Sequence, residues 1–199
     1  MIKLIIFDLG GILIPEKKPE ILEHVAKEIG CTKEQLEENL KEYDEALTKG
    51  EITLKEFYRK LLKRRGIEKK PEEIVKKHLA EYIRTSTKRN EEIINIIEKL
   101  KINYVVVALT NTEIEIGNYN KEQGLFQYFE KAFLSTEMHM KKPDAMIFKK
   151  VLQECNVTAD EALFIDDKEE NTEGARELGI PCILYENPKQ LKKMLEIML

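Results

Sequence analysis

Asp8 follows the apolar run Leu4-Ile5-Ile6-Phe7 and heads the tetrapeptide Asp8-Leu9-Gly10-Gly11. A carboxylate placed directly behind such a run needs a partner, because an unpaired buried charge is costly. Asp166 and Asp167 close a second run, Leu163-Phe164-Ile165. Two adjacent carboxylates at a buried strand end repel one another, and a hard cation with oxygen ligands relieves that repulsion. Thr110-Asn111-Thr112 closes a third run, Tyr104–Leu109. Hydroxyl and amide groups at a helix start serve as plain caps, and the exposed N–H groups there also suit a phosphate. Lys142, in Met140-Lys141-Lys142-Pro143-Asp144, adds a cation just ahead of a helical stretch.

These groups act together only if the elements between them bring them to one place. Ile2–Leu9 is apolar on both faces and stops at Gly10-Gly11, which predicts a buried parallel strand. From about residue 19 to 88 the pattern is helical. Ile21, Leu22, Val25, Ala26 and Ile29 form one face closed by Gly30. Thr32 with Gln35 and Thr53 with Glu56 carry capping-box signatures, and Pro71 opens a fourth helix bearing Ile74, Val75, Leu79, Tyr82 and Ile83. Beyond residue 88 strands and helices alternate. Strands are predicted at 104–109, 131–134, 163–166 and 181–185, with a helix running to about Gly124 after the first of them.

The predicted fold is therefore α/β, a Rossmann-like parallel sheet with helices on both faces and an inserted all-helical cap. Residues 1–14 and 89–199 are expected to form the core and 15–88 the cap. In such sheets ligands bind beyond the carboxyl ends of the strands. Asp8, Thr110, Asn111, Asp166 and Asp167 all fall at such ends, and Lys142 lies in a loop on the same rim.

Composition narrows the function classes. The chain has 199 residues and a net charge of −4, which argues against a strongly basic nucleic-acid binder. Its three cysteines, Cys31, Cys155 and Cys182, are far apart and form no CxxC, so neither a disulfide framework nor a zinc site is expected and a reducing cytoplasm fits. Leu4–Phe7 is too short for a signal-peptide core or a membrane span. His24 and His78 read as helix-surface residues and His139 as loop. Arg59, Lys60, Lys63, Arg64 and Arg65 read as a solvated helix face. No P-loop and no GxGxxG occurs.

The order Asp8, Thr110, Lys142, Asp166-Asp167, followed by Asn171 and Glu173-Gly174-Ala175-Arg176-Glu177-Leu178-Gly179, resembles the haloacid dehalogenase superfamily of phosphotransferases and hydrolases. The likeness covers nearly the whole chain. Leu109-Thr110-Asn111-Thr112, Phe164-Ile165-Asp166-Asp167 and the stretch Thr48-Lys49-Gly50-Glu51-Ile52-Thr53 are similar to the phosphatase domain of soluble epoxide hydrolases and to bacterial sugar-1-phosphate phosphatases. The resemblance implies a Mg²⁺-dependent phosphatase of a small phosphorylated metabolite. Asp8 would be the nucleophile that forms an aspartyl phosphate. Asp8, the Gly10 carbonyl and Asp167 would hold Mg²⁺, with Asp166 as a direct or outer-shell support. Lys142 and Thr110 would neutralise and orient the phosphoryl oxygens, and Asn111 would bind the phosphate or shape its loop.

One departure is conspicuous. Gly10 stands where the family carries a second aspartate that protonates the leaving group and then activates water. General acid–base catalysis contributes on the order of 10²–10⁴-fold, so aryl, acyl and anomeric phosphates are expected to outpace alkyl phosphates. Glu16 is a candidate for supplying the proton instead. The alternative reading is a catalytically weak member that binds a phosphorylated ligand or a protein partner.

Overall fold

The computed structural model describes residues 1–15 and 18–199. Five strands form one parallel sheet: β1 Leu4–Phe7, β2 Val105–Thr110, β3 Lys131–Leu134, β4 Ala162–Asp166 and β5 Cys182–Leu184. Their order is β3-β2-β1-β4-β5, with β1 at the centre. All four β1 residues are buried, as its unbroken apolar run requires of a strand covered on both faces. Its alternate side chains enter two cores. Ile5 and Phe7 join a cluster with Ile93, Ile97, Leu191 and Leu195, from α5 Glu91–Leu100 and α10 Pro188–Met198. Leu4 and Ile6 join another with Ile147, Phe148 and Ala175, from α8 Ala145–Cys155 and α9 Glu169–Arg176. Helices thus cover both faces, and the expected α/β class holds.

Ahead of α5, four helices follow β1 and make up the insertion: α1 Lys18–Glu28, α2 Lys33–Thr48, α3 Leu54–Arg65 and α4 Pro71–Ser86. Both capping boxes form. Thr32 and Gln35 exchange hydrogen bonds at the start of α2, as do Thr53 and Glu56 at the start of α3. The two ends of this insertion meet, since Asn90 N–H donates to Leu13 O at 2.8 Å.

The helix after β2, α6 Ile114–Glu122, ends close to the expected Gly124; a 3₁₀ turn at Leu125–Tyr128 carries the chain into β3, and the short helix α7 Ser135–Met138 follows that strand. In α4, Ile83 points to water while His78, Glu81 and Ser86 are buried. His78 is therefore not a surface residue. The reason is that α4 faces a polar cavity with one stripe instead of an apolar core. Arg59, Lys60, Lys63, Arg64 and Arg65 are all exposed on α3, as expected of a solvated face. The three cysteines are free thiols.

Candidate active site

Parallel pairing sets the site. Phe7 is level with Ala108 of β2 and Ile165 of β4, so the next residues, Asp8 and Asp166, leave the sheet side by side, with Thr110 beyond them on β2. Asp8 N–H donates to Ile165 O at 2.9 Å, which ties the turn to β4. The carboxylates of Asp8, Asp166 and Asp167 converge, with one oxygen of each within 4.8 Å of the others.

Lys142 reaches into this cluster from a loop. Its ammonium lies 2.7 Å from Asp8 Oδ1 and 2.6 Å from Asp166 Oδ2, and the residue is only 2% exposed. Two devices hold the loop. Asn111 grips the backbone of Lys142 from both sides, its Oδ1 accepting from Lys142 N–H and its Nδ2 donating to Lys142 O, each at 2.9 Å. Gly174 of α9 lets the helix close on Pro143, because a Cβ there would sit 2.5 Å from Pro143 O. Of the two expectations for Asn111, shaping the loop is the one its hydrogen bonds express. Thr110 is buried and lines the cavity described below.

Asp166 has both oxygens engaged. Oδ2 accepts from Lys142, Oδ1 accepts from Lys168 N–H at 2.8 Å, and Asn171 Nδ2 lies 3.0 Å from each. Asp167 packs against the turn after β1. Gly11 has φ +71° there, and a Cβ on it would lie 2.0 Å from Asp167 Oδ2, so only glycine permits this approach. Gly10 differs, for a Cβ on it would meet nothing within 4 Å.

The electrostatics follow from burial. The Asp8 carboxyl is pushed up from 3.8 to about 6, chiefly because burial disfavours its charge; Lys142 opposes the shift and Asp166 adds to it. Burial pulls Lys142 down, but the charges of Asp8 and Asp166 outweigh that and hold it above its ordinary value. Lys142 pairs with two of the three converging carboxylates, and all the donors of the cluster are hard oxygens, which fits a hard divalent cation.

This site opens on a cavity of about 410 Å³ between the sheet rim and the four-helix insertion. Asp8, Gly10, Thr110 and Lys142 border it from below, and Asp44, Thr48, His78, Tyr82 and Ser86 from above. The sequence reading missed the upper group. Its signal is visible in retrospect: His78, Tyr82 and Ser86 stand at i, i+4 and i+8 on α4, a polar stripe where an apolar one was expected. Glu16, the expected alternative proton source, lies outside the described residues.

The fold and this rim define a Rossmann-like α/β protein with strand-end aspartates beneath a helical insertion. The profile of the haloacid dehalogenase-like hydrolases matches residues 5–185, and the chain belongs to that family. It is similar to a D-ribitol-5-phosphate phosphatase of Bacteroides thetaiotaomicron, with 25% identity over 211 residues that cover 100% of this chain and 99% of that protein. A drimenol cyclase of Aspergillus calidoustus is 25% identical over 201 residues, or 98% of this chain; the chain spans only 36% of the cyclase. Among solved structures, a family enzyme from Bacteroides thetaiotaomicron in complex with magnesium and inorganic phosphate superposes with a TM-score of 0.77. The two are 28% identical, over 94% of this chain and 95% of that one. Among the described residues no helix is long and apolar enough to cross a membrane.

Proposed function

We propose that this chain is a Mg²⁺-dependent phosphatase of a small hydroxylated phosphate ester, such as a sugar or polyol phosphate, acting through an aspartyl phosphate on Asp8. The observation that carries the reading is Lys142 bridging Asp8 and Asp166 beside Asp167, at the floor of a cavity large enough for a small metabolite. Residues 15–88 act as a cap over a core of residues 1–14 and 89–199.

Asp8, Asp167 and the Gly10 carbonyl would hold Mg²⁺, and Asp166, with both oxygens engaged, would support the site from behind. When bound, the cation offsets the repulsion between a carboxylate nucleophile and a phosphate dianion. Asp8 attacks phosphorus, the bond to the leaving oxygen breaks, and that oxygen takes up a proton. Water then attacks the phosphorus of the acyl phosphate, releasing inorganic phosphate and regenerating the Asp8 carboxylate. Lys142 and Thr110 face the phosphoryl oxygens, and Asn111 keeps Lys142 in place. The similar ribitol phosphate phosphatase and the magnesium–phosphate complex support this reading.

The test is phosphate release from a panel of phosphorylated metabolites that includes D-ribitol 5-phosphate, with and without Mg²⁺. Release that depends on Mg²⁺ and is lost in Asp8→Asn is expected. No release across the panel, alongside retained phosphate binding, would favour a catalytically weak binder, the reading that Gly10 keeps open.

A further inference from the structure

Helix α6 belongs to the sheet domain, yet it forms one wall of the cavity. Glu113, Ile116 and Asn120 border the space, at helical spacings that place them on one face. Two of the three carry polar atoms that the fold does not use. Glu113 stands at the N-cap of α6, where serine, threonine, aspartate or asparagine normally caps the first turn, and its side chain makes no capping hydrogen bond. Among the described residues no hydrogen bond or ion pair engages its carboxylate. Asn120 is buried, and its Oδ1 accepts from the Tyr82 hydroxyl at 2.9 Å, which leaves its amide nitrogen as a donor.

The Glu113 charge is felt by the phenols of the insertion. Burial pushes the Tyr58 hydroxyl far above its ordinary range, and Glu113 adds to that shift. At Tyr82 burial again leads, the hydrogen bond with Asn120 opposes it and Glu113 adds to it, so the phenol rises to about 12. Most other charges around the cavity are already matched. Lys142 pairs with Asp8 and Asp166, and Lys141 with Asp44. Lys168 and Glu170 also border the cavity, but both are exposed, beyond β4. Glu113 is partly buried and thus puts a negative charge on the α6 wall that no cation among the described residues offsets by an ion pair.

We propose that Glu113, from the sheet domain, makes the cavity selective for phosphate esters whose organic part is uncharged and hydroxylated: its carboxylate accepts a hydrogen bond from a substrate hydroxyl and repels a substrate bearing a second acid group. A hydroxyl can donate to Glu113 and accept from the Asn120 amide, whereas a carboxylate has only acceptors to offer. Hydrogen bonds to an ionised acceptor are about twice as strong as neutral ones. Two like charges a few Å apart, with screening by water reduced, are in turn strongly disfavoured, and such a repulsive element excludes a wrong ligand without any added affinity for the right one. The selection comes from the turn that follows β2 and does not need a residue of the insertion. It rests on the phosphatase reading above and names the class of organic group that the site admits.

The test compares two ligands of one chain length, D-ribitol 5-phosphate and 5-phospho-D-ribonate, which carries a carboxylate in place of the terminal hydroxymethyl group. Their inhibition constants are measured with Mg²⁺ and p-nitrophenyl phosphate as reporter. The native chain is expected to prefer the polyol phosphate. In Glu113→Gln the acid should bind about tenfold more tightly, the scale of one screened charge pair, while the polyol phosphate does not gain. Glu113→Asp keeps the charge and should keep the exclusion. Because the informative result is a gain of binding, a damaged fold cannot imitate it. No gain for the acid in Glu113→Gln, an equal gain for both ligands, or the same gain in Glu113→Asp overturns the assignment, as does a native preference for the acid. If the native chain releases no p-nitrophenol, the phosphatase reading itself fails, and calorimetric titration of the same two ligands still decides the charge selection.

Discussion

At the scale of single residues, the proposed function gives Asp8 two duties, nucleophile and Mg²⁺ ligand, that substitution can separate. Asp8→Asn is expected to abolish turnover yet keep inorganic phosphate binding, because Lys142 and the loop N–H groups remain. Asp167→Asn should lower Mg²⁺ affinity and activity together, by about tenfold or more, since one anionic oxygen ligand is lost. Titration calorimetry beside a phosphate-release assay distinguishes the two, and full activity in Asp8→Asn would sink the covalent route. The elevated Asp8 carboxyl gives a pH signature. Its folded value, about 6, lies above its ordinary 3.8, so its contribution to stability is complete below about pH 3.8 and is lost as pH rises through 6. Metal binding needs the ionised form. Mg²⁺ should therefore raise the melting temperature clearly more above pH 7 than near pH 5, and an equal shift at both would contradict Asp8 as a ligand. Gly10 offers room for the acid it lacks, as no atom lies within 4 Å of a Cβ there. Gly10→Asp should speed alkyl phosphates more than aryl ones, by on the order of 10²-fold. Equal acceleration of both classes would show that leaving-group protonation is not limiting.

At the scale of elements, the loop bearing Lys142 is placed by what presses on it. Alanine normally stabilises a helix over glycine by about 0.5–1 kcal/mol. At Gly174 the added methyl would meet Pro143 O at 2.5 Å and Pro143 Cβ at 2.9 Å. Overpacking of this kind costs about 1–3 kcal/mol, so Gly174→Ala is expected to destabilise the chain and weaken phosphate binding through displaced Lys142. Urea unfolding measures the first effect, and a gain in stability would show that α9 does not pin this loop. The helix α4 makes a related point. His78, Tyr82 and Ser86 line the cavity from its inward side, while Ile74 and the Tyr82 ring on the same helix enter the apolar core.

At the scale of the whole molecule, the insertion and the sheet domain are fastened by polar contacts around the cavity. Glu115 of α6 accepts from Leu54 N–H at 3.1 Å and Lys55 N–H at 3.3 Å, while Thr53 accepts from Glu56 N–H at 3.1 Å. The sheet domain thus caps a helix of the insertion, satisfying N–H groups that the helix itself cannot. Asp44 pairs with Lys141 at 2.5 Å beside it, and Gly50 approaches Thr136 so closely that a Cβ would sit 2.8 Å from its carbonyl oxygen. Glu115→Ala is expected to cost about 1 kcal/mol, as the loss of an N-cap does, with faster hydrogen exchange at the start of α3. Unchanged protection there would mean that Thr53 alone suffices.

The sequence by itself determined the order of elements and the floor of the site. Runs apolar on both faces mark β1, β2 and β4, because a strand covered by helices on both sides has no solvent face to record. Asp8, Thr110 and Asp166 then fall at strand ends simply by following those runs. Capping boxes at Thr32 and Thr53 were equally plain, since each is a contact between residues three apart. Only the tertiary structure decided the rest. Lys142 stands out in the sequence by its place before Pro143, but it takes Asn111, 31 positions away, gripping its backbone for its ammonium to sit between two carboxylates. Asp166 and Asp167 are neighbours of one type whose carboxylates converge, yet one is buried among donors and the other is pressed against Gly11. His78 looked like a surface residue because helical periodicity records which side is covered, not what covers it. The cover here is a cavity enclosed by segments distant in the chain, and no local pattern encodes that closure.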